Sequence, residues 1–146
     1  MTIATEVLLV DDNPGDTDLI ADVLKRNDRH TRVHSVADGV EAMAFLRGEG
    51  KYANAVPPTL IVLDLNMPRK DGQAVLAEVK SDPALLHIPV VVFSTSKARN
   101  DIATSYRLGA NSYVSKPGDL NGFVSAVTAI GDFWLGIANV PRREEQ

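Results

Sequence analysis

From Leu60 to Gly72 the chain reads LIVLDLNMPRKDG: an apolar run goes straight into a carboxylate, Asp64, and then turns polar. A short apolar run bounded by turn residues reads as a strand covered on both faces, and such a strand ends in a charge only where something uses the charge. Outward from this stretch the pattern recurs. VLLV at 7–10 ends in Asp11 and Asp12, IPVVVF at 88–93 ends in Ser94 and Thr95, and SYV at 112–114 leads to Lys116 and Pro117. Between the runs lie helical periodicities. Leu19, Ile20, Val23 and Leu24 follow a turn in which Asn13 can cap a helix and Pro14 open it. Val40, Met43 and Leu46 follow Asp38, Val75, Leu76 and Val79 follow Gly72, one helix closes at Gly109, and Leu120, Phe123, Val124, Val127 and Ile130 follow Asp119. With RVHSV at 32–36 this makes five strand–helix pairs, hence a parallel sheet with helices on both faces.

Strands covered on both faces are apolar throughout, whereas edge strands keep polar positions. By that test the first, third and fourth strands are central, and the second, with Arg32, His34 and Ser35, and the short fifth are edges. The result is a single-domain α/β fold, a doubly wound (βα)5 sheet in the flavodoxin-like order 2-1-3-4-5. In such sheets ligands bind beyond the carboxyl ends of the strands, where strands one and three diverge, and Asp64 is there. The connection RGEGKYANAVPP, 47–58, is longer than such links usually are and is expected to be a surface loop.

The chain's 146 residues suit one domain. A net charge of −4 and a pI of about 5.3 come from interspersed acids and bases, so nucleic acid is not an expected partner. There is no cysteine, which removes disulfides and thiolate chemistry and suits a reducing compartment. The start, MTIATEVLLV, lacks a basic lead and a long apolar run, and no segment approaches the roughly 18 apolar residues of a membrane span. A soluble, cytoplasmic protein without a membrane partner is expected.

Asp11, Asp12, Asp64, Ser94, Thr95 and Lys116 all fall on one rim. Three converging carboxylates repel, a pair at 4 Å by roughly 4 kcal/mol at an effective dielectric of 20, so a proton or a cation must intervene. A hard divalent cation fits, and magnesium, which is content with one or two carboxylates, several waters and a phosphate, fits better than calcium. A metal beside a carboxylate, a hydroxyl and an ammonium suits phosphoryl transfer, and an aspartate can be the nucleophile. His30, His34 and His87 fall at the other ends of strands or in connections and read as ordinary imidazoles.

Together, VDD at 10–12, LDLNMPRKDG at 63–72, FSTS at 93–96 and SYVSKPG at 112–118 resemble the receiver domain of two-component response regulators, over about Glu6 to Ile130. The spacings, 30 positions from Asp64 to Ser94 and 22 from Ser94 to Lys116, fit as well. The resemblance implies Asp64 as phosphoacceptor, Asp12 as a direct Mg2+ ligand, Asp11 as a ligand through water and the Asn66 carbonyl as another. It also implies that Lys116 and Ser94 meet phosphoryl oxygens, that Tyr113 is the switch aromatic and that the Lys116–Pro117 bond is cis. Two positions depart from the usual pattern: Ser94 stands where threonine is commoner, and Thr95 where alanine or glycine is frequent.

A receiver is a switch and not an enzyme. Phosphorylation would draw Ser94 inward, make room for Tyr113 and reshape the surface of the fourth helix, fifth strand and fifth helix. No effector domain is expected after this receiver, so output is expected through protein contacts. Residues 1–131 are assigned to the receiver and 132–146 to a C-terminal extension whose Phe133, Trp134, Leu135, Ile137 and Val140 continue apolar. With the long loop, LNMPRKDG and STSKA, this tail resembles the small regulators served by cyanobacterial phytochrome histidine kinases, which implies such a kinase as partner and a homodimer to which the tail or the neighbouring fifth strand and helix contribute. Two rivals remain. An Mg2+-dependent aspartyl-nucleophile phosphatase would usually carry a second carboxylate where Asn66 stands, and a flavodoxin-like cofactor module would want glycines where DDNPGD is acidic.

Overall fold

The computed structural model describes residues 5–141. Residues 1–4 of the expected receiver and 142–146 of the expected extension lie outside the described residues. Five strands, β1 (Thr5–Val10), β2 (Thr31–Val36), β3 (Leu60–Leu63), β4 (Val90–Ser94) and β5 (Ser112–Ser115), form one parallel sheet in the order β2-β1-β3-β4-β5. Each is followed by a helix: α1 (Pro14–Asn27), α2 (Gly39–Arg47), α3 (Gly72–Ser81), α4 (Arg99–Arg107) and α5 (Leu120–Asp132). β1, β3 and β4 are buried along their whole length, whereas β2 and β5 are not, so the expected division into central and edge strands holds.

Strand alternation divides the core in two. Val7, Leu9, Leu60, Val62, Val91 and Phe93 face α1 and α5, meeting Ile20, Leu24, Phe123, Val127 and Ile130. Leu8, Val10, Ile61, Leu63, Val90 and Val92 face the other way, toward Met43, Phe45, Val75, Leu76 and Val79 of α2 and α3. The helices start where short polar side chains satisfy free N–H groups: Asn13, Asp38, Asp71 and Asp119 each accept from an amide three residues on. Val40 and Leu120, counted with the apolar stripes, instead lie in first turns and are exposed. The buried apolar side chains of the two helices begin at Ala42 and Phe123.

Three expectations need correction. No cis peptide occurs among the described residues, so Lys116–Pro117 is trans; an X–Pro bond favours trans by only about 0.5–1 kcal/mol, and tertiary context chooses between the isomers. His34 is neither at a strand end nor in a connection. It lies within β2, its Nε2 is 2.9 Å from Glu6 Oε2, and it supplies a partner to a carboxylate buried in β1. Finally, α5 continues through a π-helical turn (Phe133–Ile137) into an 18-residue stretch, Leu120–Ile137, with mean hydropathy 1.3, long and apolar enough for a span. Asn121, Ser125 and Asp132 interrupt it, so no uninterrupted run announces it in the sequence. The 22% of it that is buried includes Phe123, Val127 and Ile130, which belong to the sheet core.

The long connection is not wholly a surface loop. Tyr52, in a 3-10 turn (Gly50–Tyr52), folds back to place its ring 5.3 Å from that of Phe45. Beyond α5, Trp134 and Leu135 pack against the core face of α1 and α5, whereas Phe133 and Ile137 stay exposed.

Candidate functional site

Parallel register aligns the carboxyl ends of the strands. Val10 lies beside Leu63, and the Asp64 N–H donates to the Val10 carbonyl at 2.8 Å, so the residues that follow β1 and β3 emerge side by side. Asp11, Asp12 and Asp64 there bring one carboxylate oxygen each to within 4.8 Å of one another. Ser94 lies beside Ser115, and the Lys116 N–H donates to the Ser94 carbonyl at 2.7 Å, which brings Lys116 to the same lip.

Lys116 is buried, and its three N–H groups meet three acids: Asp11 Oδ2 at 2.7 Å, Asp16 Oδ2 at 2.9 Å and Asp64 Oδ2 at 3.3 Å. Burial opposes its charge, but the hydrogen bonds to Asp11 and Asp16 and the field of the carboxylates outweigh it, and its pKa stands above the ordinary lysine value. Asp11 bears the cost of burial. Desolvation pushes its carboxyl above the usual range, against the pull of Lys116 and of the Asn13 N–H that donates to Oδ1 at 2.9 Å. Asp64 Oδ1 accepts from the Leu65 N–H at 2.7 Å, which leaves Oδ2 toward Lys116.

The donor set fits a hard divalent cation. Asp12 is exposed and, among the described residues, has no ion pair, while a single ammonium serves the other acids. All candidate ligands are oxygens, as Mg2+ or Mn2+ prefers. Asn66 lies exposed two residues beyond Asp64. The turn that carries it is held by close packing. A Cβ on Gly72 would lie 2.1 Å from the Asp64 carbonyl oxygen, and the Gly72 N–H donates to the Leu65 carbonyl at 2.8 Å. At the start of α3, Gly72 is therefore required for close approach and not for backbone freedom. It is Arg69 that adopts a left-handed φ of 66°, with its guanidinium donating to both oxygens of Asp38 at 2.9 and 3.1 Å.

Ser94 reaches the rim, but its hydroxyl is fully buried and accepts from the Ser96 N–H at 3.3 Å. The Tyr113 hydroxyl donates to the Ser96 carbonyl at 2.8 Å, and the half-buried ring packs against the core on the α2 and α3 side. Thr95 is exposed and lines a hollow of about 360 Å3 with Asn13, Asp16, Lys116 and Pro117. The structure thus gathers Asp11, Asp12, Asp64 and Lys116 and leaves Ser94 and Tyr113 converging on Ser96. Asp16 was not singled out from the sequence. An acid in the first turn of a helix reads as ordinary compensation of the helix dipole, and only its position one turn beyond Asp12 pointed to the rim.

Residues 7–128 match the response regulator receiver domain family. The chain belongs to that family. It is 43% identical over 135 residues to response regulator Rcp1 of Synechocystis sp., covering 92% of each chain. Its fold matches the crystal structure of the phosphorylated cyanobacterial phytochrome response regulator RcpA with a TM-score of 0.92 and 49% identity, covering 95% of this chain and 99% of that one. The Mn2+-bound form of Rcp1 matches with a TM-score of 0.91 and 42% identity, covering 94% of this chain and 99% of that one. This receiver is therefore part of a two-component response regulator related to Rcp1, and the acidic group at its rim is the counterpart expected for a divalent-metal receiver.

Proposed function

We propose that this receiver accepts a phosphoryl group on Asp64 from a histidine kinase of the phytochrome type, with Mg2+ held at the rim. Asp64 Oδ2 attacks phosphorus, a new P–O bond forms, the P–N bond of the kinase phosphohistidine breaks, and the departing imidazole nitrogen takes a proton from solvent. Asp12 and the Asn66 carbonyl are assigned to the metal directly and Asp11 through water. When bound, the ion neutralises charge on the transferring group and on the carboxylates. Lys116 meets a phosphoryl oxygen, and Ser94 donates its hydroxyl to another. The single observation that carries this reading is the buried ammonium 3.3 Å from Asp64 within a group of acids that one lysine does not neutralise. Asn66, standing where a phosphatase would carry its second carboxylate, favours the receiver over that rival.

The same reading makes the group of α4, β5 and α5 the output face. A phosphoryl group adds nearly two negative charges, Ser94 leaves the Ser96 N–H for it, and Tyr113 follows. Output by protein contact in the cytoplasm, with no nucleic acid bound, completes the proposal. So does a homodimer to which Phe133 and Ile137, the exposed apolar side chains beyond residue 131, contribute. The test of the core proposal is mass. With Mg2+ and acetyl phosphate the chain should gain one phosphoryl group and Asp64→Asn none; no gain in the unmodified chain would refute it.

A further inference from the structure

The phosphoacceptor scheme gives no task to Asp16, yet its carboxylate lies closer to Lys116 than that of Asp64 does, 2.9 Å against 3.3 Å. Its position at the start of α1 explains a negative charge there but not the partner, because the Asp16 N–H is already capped by Asn13 Oδ1 at 3.0 Å and the helix needs nothing more from the side chain. An ammonium has three donors, and all three are engaged, by Asp11, Asp16 and Asp64. For Lys116 to close on a phosphoryl oxygen it must loosen its hold elsewhere. Asp11, with a side chain 5% exposed and both oxygens bonded, has nowhere to turn. Asp16 is 27% exposed, faces the hollow beside Thr95 and Pro117, and can return to water.

We propose that Asp16 is a positioning residue that draws Lys116 away from Asp64 before phosphorylation and competes with the phosphoryl group for it afterwards, so that its carboxylate acts as a brake on the switch. The inference rests on Asp64 being the phosphoacceptor. Its physical content is one charge-assisted hydrogen bond exchanged for another, together with a like charge beside an incoming dianion. No metal ligand is altered by removing it.

The test compares the unmodified chain with Asp16→Asn and Asp16→Glu, phosphorylated by acetyl phosphate in saturating Mg2+ and followed by intact mass, with the half-saturating acetyl phosphate concentration separated from the maximal rate. Asp16→Asn, which keeps an acceptor oxygen but removes the charge, should lower the half-saturating concentration about two- to fivefold, the size of one partly exposed ion pair. Asp16→Glu, which keeps the charge and can still reach Lys116, should stay close to the unmodified value. A residue needed only for folding would slow phosphorylation when changed, so a gain is the diagnostic direction. An unchanged or raised half-saturating concentration in Asp16→Asn, with the unmodified chain phosphorylating normally, overturns the inference alone. No phosphorylation of the unmodified chain overturns the phosphoacceptor reading and this inference with it. Should Asp16→Asn fail to fold, Asp16→Ser carries the same expectation.

Discussion

Replacing Lys116 by methionine keeps the length and much of the apolar stem of the side chain while removing its charge, which isolates the electrostatic role of the rim. In the folded chain the lysine side chain is 4% exposed, and the acids it serves, Asp11, Asp64 and Asp16, are 5%, 11% and 27% exposed. Losing the ammonium leaves two well-buried carboxylates without their counter-ion. Breaking a buried pair in this way costs about 3–5 kcal/mol. For a domain of this size one kcal/mol corresponds to about 3–4 °C, so the metal-free variant should melt about 9–20 °C below the unmodified chain near neutral pH. Calorimetry in chelator checks this. Saturating Mg2+ should then raise the midpoint of the variant more than that of the unmodified chain, because the ion has more uncompensated charge to neutralise.

The alkaline limb gives an independent check on sign. Lys116 has a raised folded pKa, so its contribution is complete below the ordinary lysine value of about 10.4 and is lost only as pH rises through the folded value. The unmodified chain should therefore lose stability in strong alkali along a limb that the methionine variant lacks. A metal-free midpoint within about 3 °C of the unmodified chain, equivalent to roughly 1 kcal/mol, would show that the three acids are already solvated and would refute the reasoning. A smaller Mg2+ effect in the variant would do the same.

Gly72→Ala should cost about 1–3 kcal/mol in urea unfolding, since its Cβ would lie 2.1 Å from the Asp64 carbonyl oxygen, and should weaken Mn2+ binding measured by calorimetry because the loop carrying Asn66 must move. The Arg69 guanidinium, by hydrogen bonding, holds the Asp38 carboxyl below its ordinary range. An acid with a depressed folded pKa adds stability above its unfolded value of about 3.9 and loses it as pH falls through the folded one. The Asp38 carboxyl carbon should accordingly titrate at higher pH in Arg69→Ala, and an unmoved titration would exclude the ion pair. At the tail, Phe133→Ser with Ile137→Ser should weaken self-association in sedimentation while shifting stability by less than about 0.5 kcal/mol. Trp134→Ala, which removes partly buried packing, should cost about 1–3 kcal/mol; equal association of all three chains would remove the tail from the dimer contact.

The strand order was legible because burial on both faces leaves a compositional trace: VLLV and LIVL contain nothing a solvated strand would keep, while RVHSV does. The rim acids were legible for the complementary reason, since a charge directly after such a run needs a partner. What escaped was determined by geometry that spacing does not encode. Asp16 turns toward Lys116 across 100 residues of chain, and nothing local distinguishes that from an ordinary helix start. His34 looked like an edge-strand polar residue, yet its partner Glu6 is buried two positions along the neighbouring strand. Gly72 carried the opposite ambiguity, because a glycine at a helix start is compatible with either unusual φ or close approach, and only the Asp64 carbonyl above it decides.

Ser94 and Tyr113 are joined through a third residue. Ser96 offers its N–H to the Ser94 hydroxyl and its carbonyl to the Tyr113 hydroxyl, and its own hydroxyl donates to Asp101 of α4. A displacement of Ser94 toward Asp64 would therefore be felt by Tyr113 and α4 through one residue, Ser96, whatever room the rings have. The energy involved is small. A neutral hydrogen bond is worth about 0.5–1.5 kcal/mol net, and the Ser94–Ser96 contact is long, whereas a swing from 1:99 to 99:1 needs about 5.5 kcal/mol. Ser96 can thus transmit the change but cannot drive it. The driving energy must come from the charged lip, where Lys116 gains a stronger acceptor and a divalent ion gains a phosphoryl oxygen. It follows that serine in place of threonine at position 94 loosens the transmission and leaves the drive intact. In Ser94→Thr the fraction phosphorylated at a given acetyl phosphate concentration should stay the same, while the chemical shifts of Tyr113 and α4 move further toward the phosphorylated limit; an equal shift in both chains would return the coupling to direct ring packing.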